Sequence, residues 1–321
     1  MNKKLSAILL AIPILLMGCS KEDNFMEKLG YTKDDIVVIV NADDYGCSIP
    51  HTDATVELLD KTDFVKTATI MATNPDFERA AKIAVEKGYS IGVHITLTNE
   101  WQEKAPWGAV LPKEEVPSLY NEKGYLWATQ DEVVENANIE DIEKEMEAQI
   151  QKIKQAGINI THMDAHMYIY YPWFAEDYFK LAKKIAKKHG IHLSVRFMDQ
   201  KHDNLWHREN GNLVVDNYYA IYDLKATGGW GDYEQRRDRY VELFSRLQPG
   251  IYHLTIHPAL DTEESKAVYP QWKARYSDYK IWFSDELKAV IKERNIKFTD
   301  YSQFNQLEKE FHDQQAKSAT Q

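Results

Sequence analysis

The feature that most constrains the fold of this chain is an apolar run that ends in two adjacent acids, Val37-Val38-Ile39-Val40-Asn41-Ala42-Asp43-Asp44-Tyr45-Gly46. An unbroken run of β-branched residues predicts a strand that is buried on both faces, as in a parallel sheet covered by helices. Carboxylates at the carboxyl end of such a strand lie where α/β folds place their functional groups. An Asp-rich turn closed by Gly46 would have the same sequence, so the rest of the chain has to distinguish the two interpretations.

Strand and helix patterns alternate from Asp35 almost to the end of the chain. Strands are predicted at 36–40, 65–71, 90–97, 158–163, 191–197, 251–256 and 296–299, and helices at 51–59, 76–87, 139–155, 173–189, 233–247 and 284–294. Two long irregular segments, 99–138 and 198–232, interrupt the alternation. The pattern predicts an α/β fold, a deformed (β/α) TIM-like barrel of about seven to eight parallel strands with long strand-to-helix excursions. A doubly wound open sheet is the alternative.

The first residues predict an export signal. Lys3 and Lys4 precede an almost wholly apolar stretch, and Leu16-Met17-Gly18-Cys19 follows it. The stretch is too short to span a bilayer, and a small residue before Cys19 resembles a bacterial lipobox. We expect residues 1–18 to be a lipoprotein signal peptide, 19–30 a lipidated tether, 31–305 a single barrel domain and 306–321 a polar tail. A lipid on Cys19 would anchor the chain to a membrane of the cell envelope; an ordinary signal peptide is the alternative.

Charge and cysteine content restrict the partners. The net charge of −11 argues against a nucleic-acid partner, which would require clustered Lys and Arg. If Cys19 carries lipid, Cys47 has no disulfide partner, and we expect it to be a small buried hydrophobe. A homodimer is left open.

Potential metal ligands and proton-transfer groups lie at or near the ends of five predicted strands. They are Asp43 and Asp44, His94, the group His162, Asp164 and His166, Arg196, and the pair His253 and His257. Because side chains alternate along a strand, the three residues of the 162–166 group project to one side. The same rule points Asp43 and Asp44 in opposite directions, so they can share a site only if the backbone turns there.

At this point the chain resembles a known family. Asn-Ala-Asp-Asp-Tyr-Gly at 41–46, Gly-Val-His-Ile-Thr-Leu-Thr at 92–98, Thr-His-Met-Asp-Ala-His at 161–166 and His257-Pro258 are similar to motifs of the YdjC-like carbohydrate deacetylases. That family is related to the NodB-type polysaccharide deacetylases. The resemblance implies a deformed (β/α) barrel and an enzyme that removes acetyl groups from N-acetylated sugars.

The resemblance also implies roles for individual residues. Asp44, His94 and His166 would hold a divalent metal, with zinc expected first and magnesium or another divalent ion as alternatives. Asp43 would be the general base, His257 the acid for the leaving amine, and Arg196 would orient the base.

The substrate would be an N-acetylated carbohydrate, and four aromatic residues are candidates for contact with it. Trp101, Trp107 and Trp230 lie in the irregular segments, and Tyr168 follows the third motif where related sequences carry His. A catalytically silent glycan- or metal-binding lipoprotein and a different barrel hydrolase, such as a phosphoesterase or a glycosidase, are the alternative functions.

Overall fold

The computed structural model describes residues 25–195, 213–221 and 231–318. Its strands are β1 Ile36–Tyr45, β2 Thr67–Ile70, β3 Ser90–Ile95, β4 Ile160–Ala165, β5 His192–Leu193, β6 Asn217–Ala220, β7 Gly250–Ile256 and β8 Lys297–Thr299. Its helices are α1 Phe25–Lys28, α2 Ile49–Lys61, α3 Phe77–Lys87, α4 Gln130–Asn136, α5 Ile139–Gln155, α6 Glu176–His189, α7 Tyr233–Arg246, α8 Glu263–Val268, α9 Trp272–Lys280, α10 Asp285–Glu293 and α11 Ser302–Ser318.

The strands form one parallel sheet in the order β5-β4-β3-β2-β1-β7-β6. β7 pairs with Ile36–Ala42 of β1, while β8 and then β2 share the opposite edge of β1. The two ends of this order approach each other, because Ser194 after β5 lies 3.3 Å from the hydroxyl of Tyr218 in β6. The sheet is therefore curled into a half-barrel, and the predicted fold class is confirmed.

Strand β1 is buried on both faces, as its apolar run predicts. Val38 and Val40 pack in the large core between the sheet and the helices. Val37 and Ile39 pack in a smaller cluster with Tyr301 and other residues inside the curled sheet. Because side chains alternate along a strand, this pattern shows which residues of β1 point into the barrel and which point toward the helices.

The C-terminal helix α11 closes one end of the barrel. Asn305 donates a hydrogen bond to the carbonyl of Thr161 at 2.6 Å, and the Glu308 carboxylate lies 3.0 Å from His192 Nδ1. The sequence predicted a polar tail from residue 306, whereas the structure continues the helix to Ser318. The Glu308 contact is part-buried, and the polar composition of the segment did not indicate it.

Other elements also differ from the prediction. Strand β6 lies inside the segment that was predicted to be irregular, and helices α8 and α9 were not predicted. Within the described residues, no helix has the length and apolar character needed to cross a membrane.

Candidate metal and catalytic site

The two acids of β1 reach the same site because the backbone turns between them. Asp44 has a left-handed φ of 63°, and the pairing of β1 with β2 shifts register between Ala42 and Tyr45. Gly46 follows with φ of 84°, a conformation that glycine adopts without strain. The turn brings both carboxylates toward the His94 imidazole at the end of β3, so the convergence that strict alternation forbids does occur.

Asp44, His94 and His166 form a compact group of metal-ligand type. Asp44 Oδ1 lies 3.4 Å from His94 Nε2 and 3.3 Å from His166 Nδ1, and the two nitrogens are 3.3 Å apart. We call these three atoms the ligand triangle. An ion held tetrahedrally about 2.0–2.1 Å from its ligands requires edges of about 3.3–3.4 Å.

The chemistry of the ligand triangle also fits a cation. Asp44 Oδ1 is buried and accepts no hydrogen bond from the described residues, which is unfavourable for an isolated carboxylate oxygen. Two neutral imidazole nitrogens and one carboxylate oxygen form a ligand set that divalent zinc accepts, with positions left for water and substrate. The residues present therefore fit a divalent metal.

Each of the two imidazoles is held on its outer nitrogen by a carboxylate. His94 Nδ1 donates to Asp164 Oδ1 at 2.7 Å. His166 Nε2 lies 3.1 and 3.0 Å from the two carboxylate oxygens of Glu100. These bonds point Nε2 of His94 and Nδ1 of His166 into the triangle, so the two histidines present opposite nitrogens.

The charges around the ligand triangle favour positive charge inside it. Burial alone would raise the pKa of Asp44, but the Arg275 guanidinium and the two histidines hold it well below its usual range. Burial alone would lower the pKa of His166, but Glu100 and Asp44 raise it to about 9. Arg275 Nη1 donates to Asp44 Oδ2 at 2.6 Å, which leaves Oδ1 as the oxygen that faces the histidines.

Asp43 and His257 lie beside the ligand triangle. Asn41 Nδ2 donates to Asp43 Oδ1 at 2.6 Å, and Asp43 Oδ2 lies 3.9 Å from His257 Nε2. Burial and the neighbouring Asp164 charge raise the pKa of Asp43 well above its usual value. Burial lowers the pKa of His257 to about 4. The two groups therefore flank one edge of the site as a carboxylate that burial makes more basic and an imidazole that burial keeps neutral.

The predicted aromatic contacts are distributed differently. Trp107 is buried and donates from Nε1 to the Thr98 carbonyl at 3.1 Å, and Trp101 packs edge-to-face on Tyr269 at 4.7 Å. Neither of these two indoles offers an open face, so a stacking role for them finds no support in this geometry. Tyr168, in contrast, is 48 % exposed.

Two predicted site residues, Arg196 and Trp230, lie outside the described residues. Among the described residues, an arginine does lie at the acids: Nη1 of Arg275 in α9 donates to Asp44 Oδ2.

Sequence reasoning assigned no role to Asn41, Glu100 or Arg275, and it named Asp164 only among the potential ligand and proton-transfer groups. Asn41 precedes the acidic pair, and Asp164 alternates with two histidines, so the strand pattern contained a signal for both. Glu100 lies in a long irregular segment and Arg275 in a helix that was not predicted. Nothing local in the sequence distinguishes those two from surface charges.

Fold and site together define the class of this protein as a parallel α/β half-barrel with an Asp/His metal-type cluster at the carboxyl ends of its strands. The model of the family described as YdjC-like protein matches residues 37–293, and the chain belongs to that family. The resemblance seen in the motifs is thereby confirmed.

Individual relatives agree with this assignment. Carbohydrate deacetylase 1 of Listeria innocua is 31 % identical over 276 residues, which cover 82 % of this chain and 98 % of the relative. The carbohydrate deacetylase of Enterococcus faecalis is 29 % identical over 273 residues, covering 82 % and 96 %. A crystal structure of an E. faecalis protein described as a candidate cellobiose-phosphate cleavage protein is 25 % identical with a TM-score of 0.68, covering 83 % of this chain and 98 % of that one.

Proposed function

We propose that this protein is a metal-dependent carbohydrate deacetylase, which hydrolyses the acetamide group of N-acetylated sugars of the N-acetylglucosamine type and releases acetate. The observation that carries the proposal is the ligand triangle with Asp43 and His257 beside it. The relatives named carbohydrate deacetylase support the reaction.

Amide hydrolysis requires a nucleophilic water, a polarised carbonyl and a proton for the departing nitrogen. A divalent ion held by Asp44, His94 and His166 would polarise the carbonyl oxygen and lower the pKa of water. We expect zinc because of the two imidazoles, with magnesium or another divalent ion as alternatives.

The remaining steps belong to side chains of this chain. Asp43 accepts the proton of the attacking water, and its raised pKa makes the carboxylate a stronger base than a surface aspartate. His257 donates a proton to the leaving amine, and its Nε2, 3.9 Å from Asp43 Oδ2, lies at the same edge of the site as the base. Asn41 orients Asp43 through the hydrogen bond to Oδ1.

The decisive experiment is acetate release from N-acetylglucosamine oligomers by wild-type protein that has been depleted of metal and then reloaded with zinc. We expect depletion to abolish release and zinc to restore it. Asp43→Asn should lose a factor of about 10²–10⁴ in kcat and still bind zinc, because Asp43 is not part of the ligand triangle.

The matched control is Asp63→Asn, since that side chain is 99 % exposed. It should behave as wild type. If zinc-loaded wild type releases acetate from no acetylated glycan, the proposal is refuted. Activity that persists under chelation would instead favour a metal-independent barrel hydrolase.

We further propose that the chain is a lipoprotein of the cell envelope, anchored through lipid on Cys19. The support is the sequence of residues 1–19 alone. Expression in a bacterium with a labelled fatty acid tests it, with incorporation expected for wild type and none for Cys19→Ser. If neither wild type nor Cys19→Ser incorporates the labelled fatty acid, the proposed lipid anchor is refuted.

A further inference from the structure

A chain of hydrogen bonds runs through the inside of the barrel and ends at the candidate base. Asn41 Nδ2 donates to Asp43 Oδ1 at 2.6 Å and to Asp164 Oδ2 at 3.2 Å. On the other side of the amide, Asn41 Oδ1 lies 3.1 Å from His162 Nε2. His162 Nδ1 lies 3.0 Å from the Thr161 hydroxyl. All five side chains are buried, so these contacts, rather than bulk water, satisfy their polar atoms.

The two carboxylates determine the direction of every hydrogen bond in this chain. In the ionised form that a general base requires, Asp43 only accepts, so the amide nitrogen of Asn41 faces it. The amide oxygen therefore faces His162, whose Nε2 must carry a proton to donate. Nδ1 of the same ring then accepts from the Thr161 hydroxyl. Burial lowers the pKa of His162 well below its usual value, which agrees with a neutral ring that has this one proton.

The His162 ring is packed closely against two neighbours. On one side lies Gly92, where a Cβ would be 2.5 Å from the ring, so only glycine allows this approach. Tyr301 stacks on the ring with centroids 4.3 Å apart and planes 30° apart. This packing fixes the position of Nε2 and, through the hydrogen bond to Oδ1, the orientation of the Asn41 amide.

We propose that His162 is a positioning residue of the reaction, which acts through Asn41 to hold Oδ1 of Asp43 and leave Oδ2 to accept the proton of water. This inference rests on the proposed function. Oδ2 is the oxygen on the side of the acid, 3.9 Å from His257 Nε2. Without the His162 donor, Asn41 Oδ1 is buried and unpaired, which is unfavourable until the amide moves. A displacement of ~1 Å near the reacting groups can cost about 10² in rate.

The first test measures kcat and KM for acetate release from N-acetylglucosamine oligomers at saturating zinc. His162→Leu removes the donor, and we expect kcat to fall about tenfold while KM stays within about twofold of wild type. His162→Gln keeps an N–H donor on a side chain of similar reach and should recover most of the loss. If His162→Leu does not fold, His162→Asn replaces it, because its amide is one carbon too short to reach Asn41.

A double-mutant cycle tests whether His162 acts through Asn41. Asn41→Ala alone should lower kcat about tenfold or more, since Asp43 then loses the donor to Oδ1. Adding His162→Leu to Asn41→Ala should lower kcat no further, because the group that His162 positions is already absent. Losses that multiply would show that His162 acts by another route, and they would overturn the proposal.

His192→Leu is the matched control for a purely structural effect. His192 is the register partner of His162 on the neighbouring strand and is equally buried. Its ring also stacks on Tyr301, with centroids 5.0 Å apart, but its Nδ1 contacts Glu308 rather than Asn41. The control should lower the Tm and leave kcat unchanged. An equal loss of kcat in both leucine variants, or no recovery in His162→Gln, would overturn the proposal.

Hydrogen exchange of the Asn41 side-chain amide gives a readout that does not depend on turnover. The amide signals are assigned by NMR from their absence in Asn41→Ala. We expect exchange about tenfold faster in His162→Leu than in wild type or His192→Leu, because the amide is no longer held on its oxygen. Such a difference without acetate release by zinc-loaded wild type would support the role of His162 and refute deacetylation. Acetate release with the same exchange rate and kcat in His162→Leu and wild type would do the reverse.

Discussion

Glu100→Gln is expected to weaken zinc binding without removing any ligand of the triangle. Both Glu100 oxygens lie within 3.1 Å of His166 Nε2, so the carboxylate holds the proton on that nitrogen and leaves Nδ1 for the metal. Loss of such an outer carboxylate typically costs 10- to 100-fold in metal affinity. Because the side chain is 20 % exposed, solvent screens part of its charge, and we expect about tenfold, or ~1.4 kcal/mol.

The assay is a zinc titration against a chelator of known affinity, which reports Kd independently of turnover. Glu103→Gln is the control, since Glu103 lies three residues further on, is 82 % exposed and pairs with Lys123 at 2.7 Å. It removes the same charge without touching His166. If the Kd of Glu100→Gln stays within twofold of wild type, or if the control weakens binding equally, the inferred role of Glu100 is wrong.

Three further substitutions test the packing and charge of the barrel by urea unfolding. Gly92→Ala would place its Cβ 2.5 Å from the His162 ring and should cost about 1–3 kcal/mol; a loss below about 0.5 kcal/mol would show that the ring can move. Arg275→Leu leaves the Asp44 charge buried without its guanidinium partner and should lower the free energy of unfolding by about 3–5 kcal/mol. An unchanged free energy of unfolding would contradict this. Burial lowers the pKa of His253 to about 3. Below pH ~6.5 the imidazole therefore binds a proton in the unfolded chain but stays neutral in the folded chain. Stability is unaffected by this difference above pH ~6.5 and falls as the pH falls below it. We compare the free energy of unfolding of wild type with that of His253→Asn at pH 8 and at pH 5. The difference should shift against wild type by about 2 kcal/mol between the two pH values. Equal pH dependence of the two proteins would contradict the assignment.

The sequence predicted much of the site because parallel strands all end at one edge of a sheet. The candidate ligands Asp44, His94 and His166 each belong to a motif at a strand end, and the structure brings one atom of each within 3.4 Å of the other two. The choice of these three residues as ligands came from the family resemblance, and their meeting at one edge follows from a general rule of α/β architecture. The roles of base and acid stay predictions, which the Asp43 experiment tests.

The contacts that complete the site could not be predicted in this way. Arg275 pairs with Asp44 across 231 positions of sequence, and Glu100 reaches His166 from an irregular segment. Trp107 of that segment is buried, which its position in an irregular segment did not indicate, and its contact with a sugar stays a prediction. Side-chain contacts between distant segments depend on the whole arrangement of helices around the sheet, which no local pattern encodes.

The sequence by itself determined the alternation of strands and helices, the strand that is buried on both faces, and the presence of ligand-type residues where strands end. Periodicity encodes these features because each residue's neighbours along the chain fix which face it occupies. Tertiary structure alone decided that Asp43 and Asp44 converge. The left-handed φ of Asp44 is unfavourable in isolation, and the buried pairing of its carboxylate with Arg275 helps to hold it there.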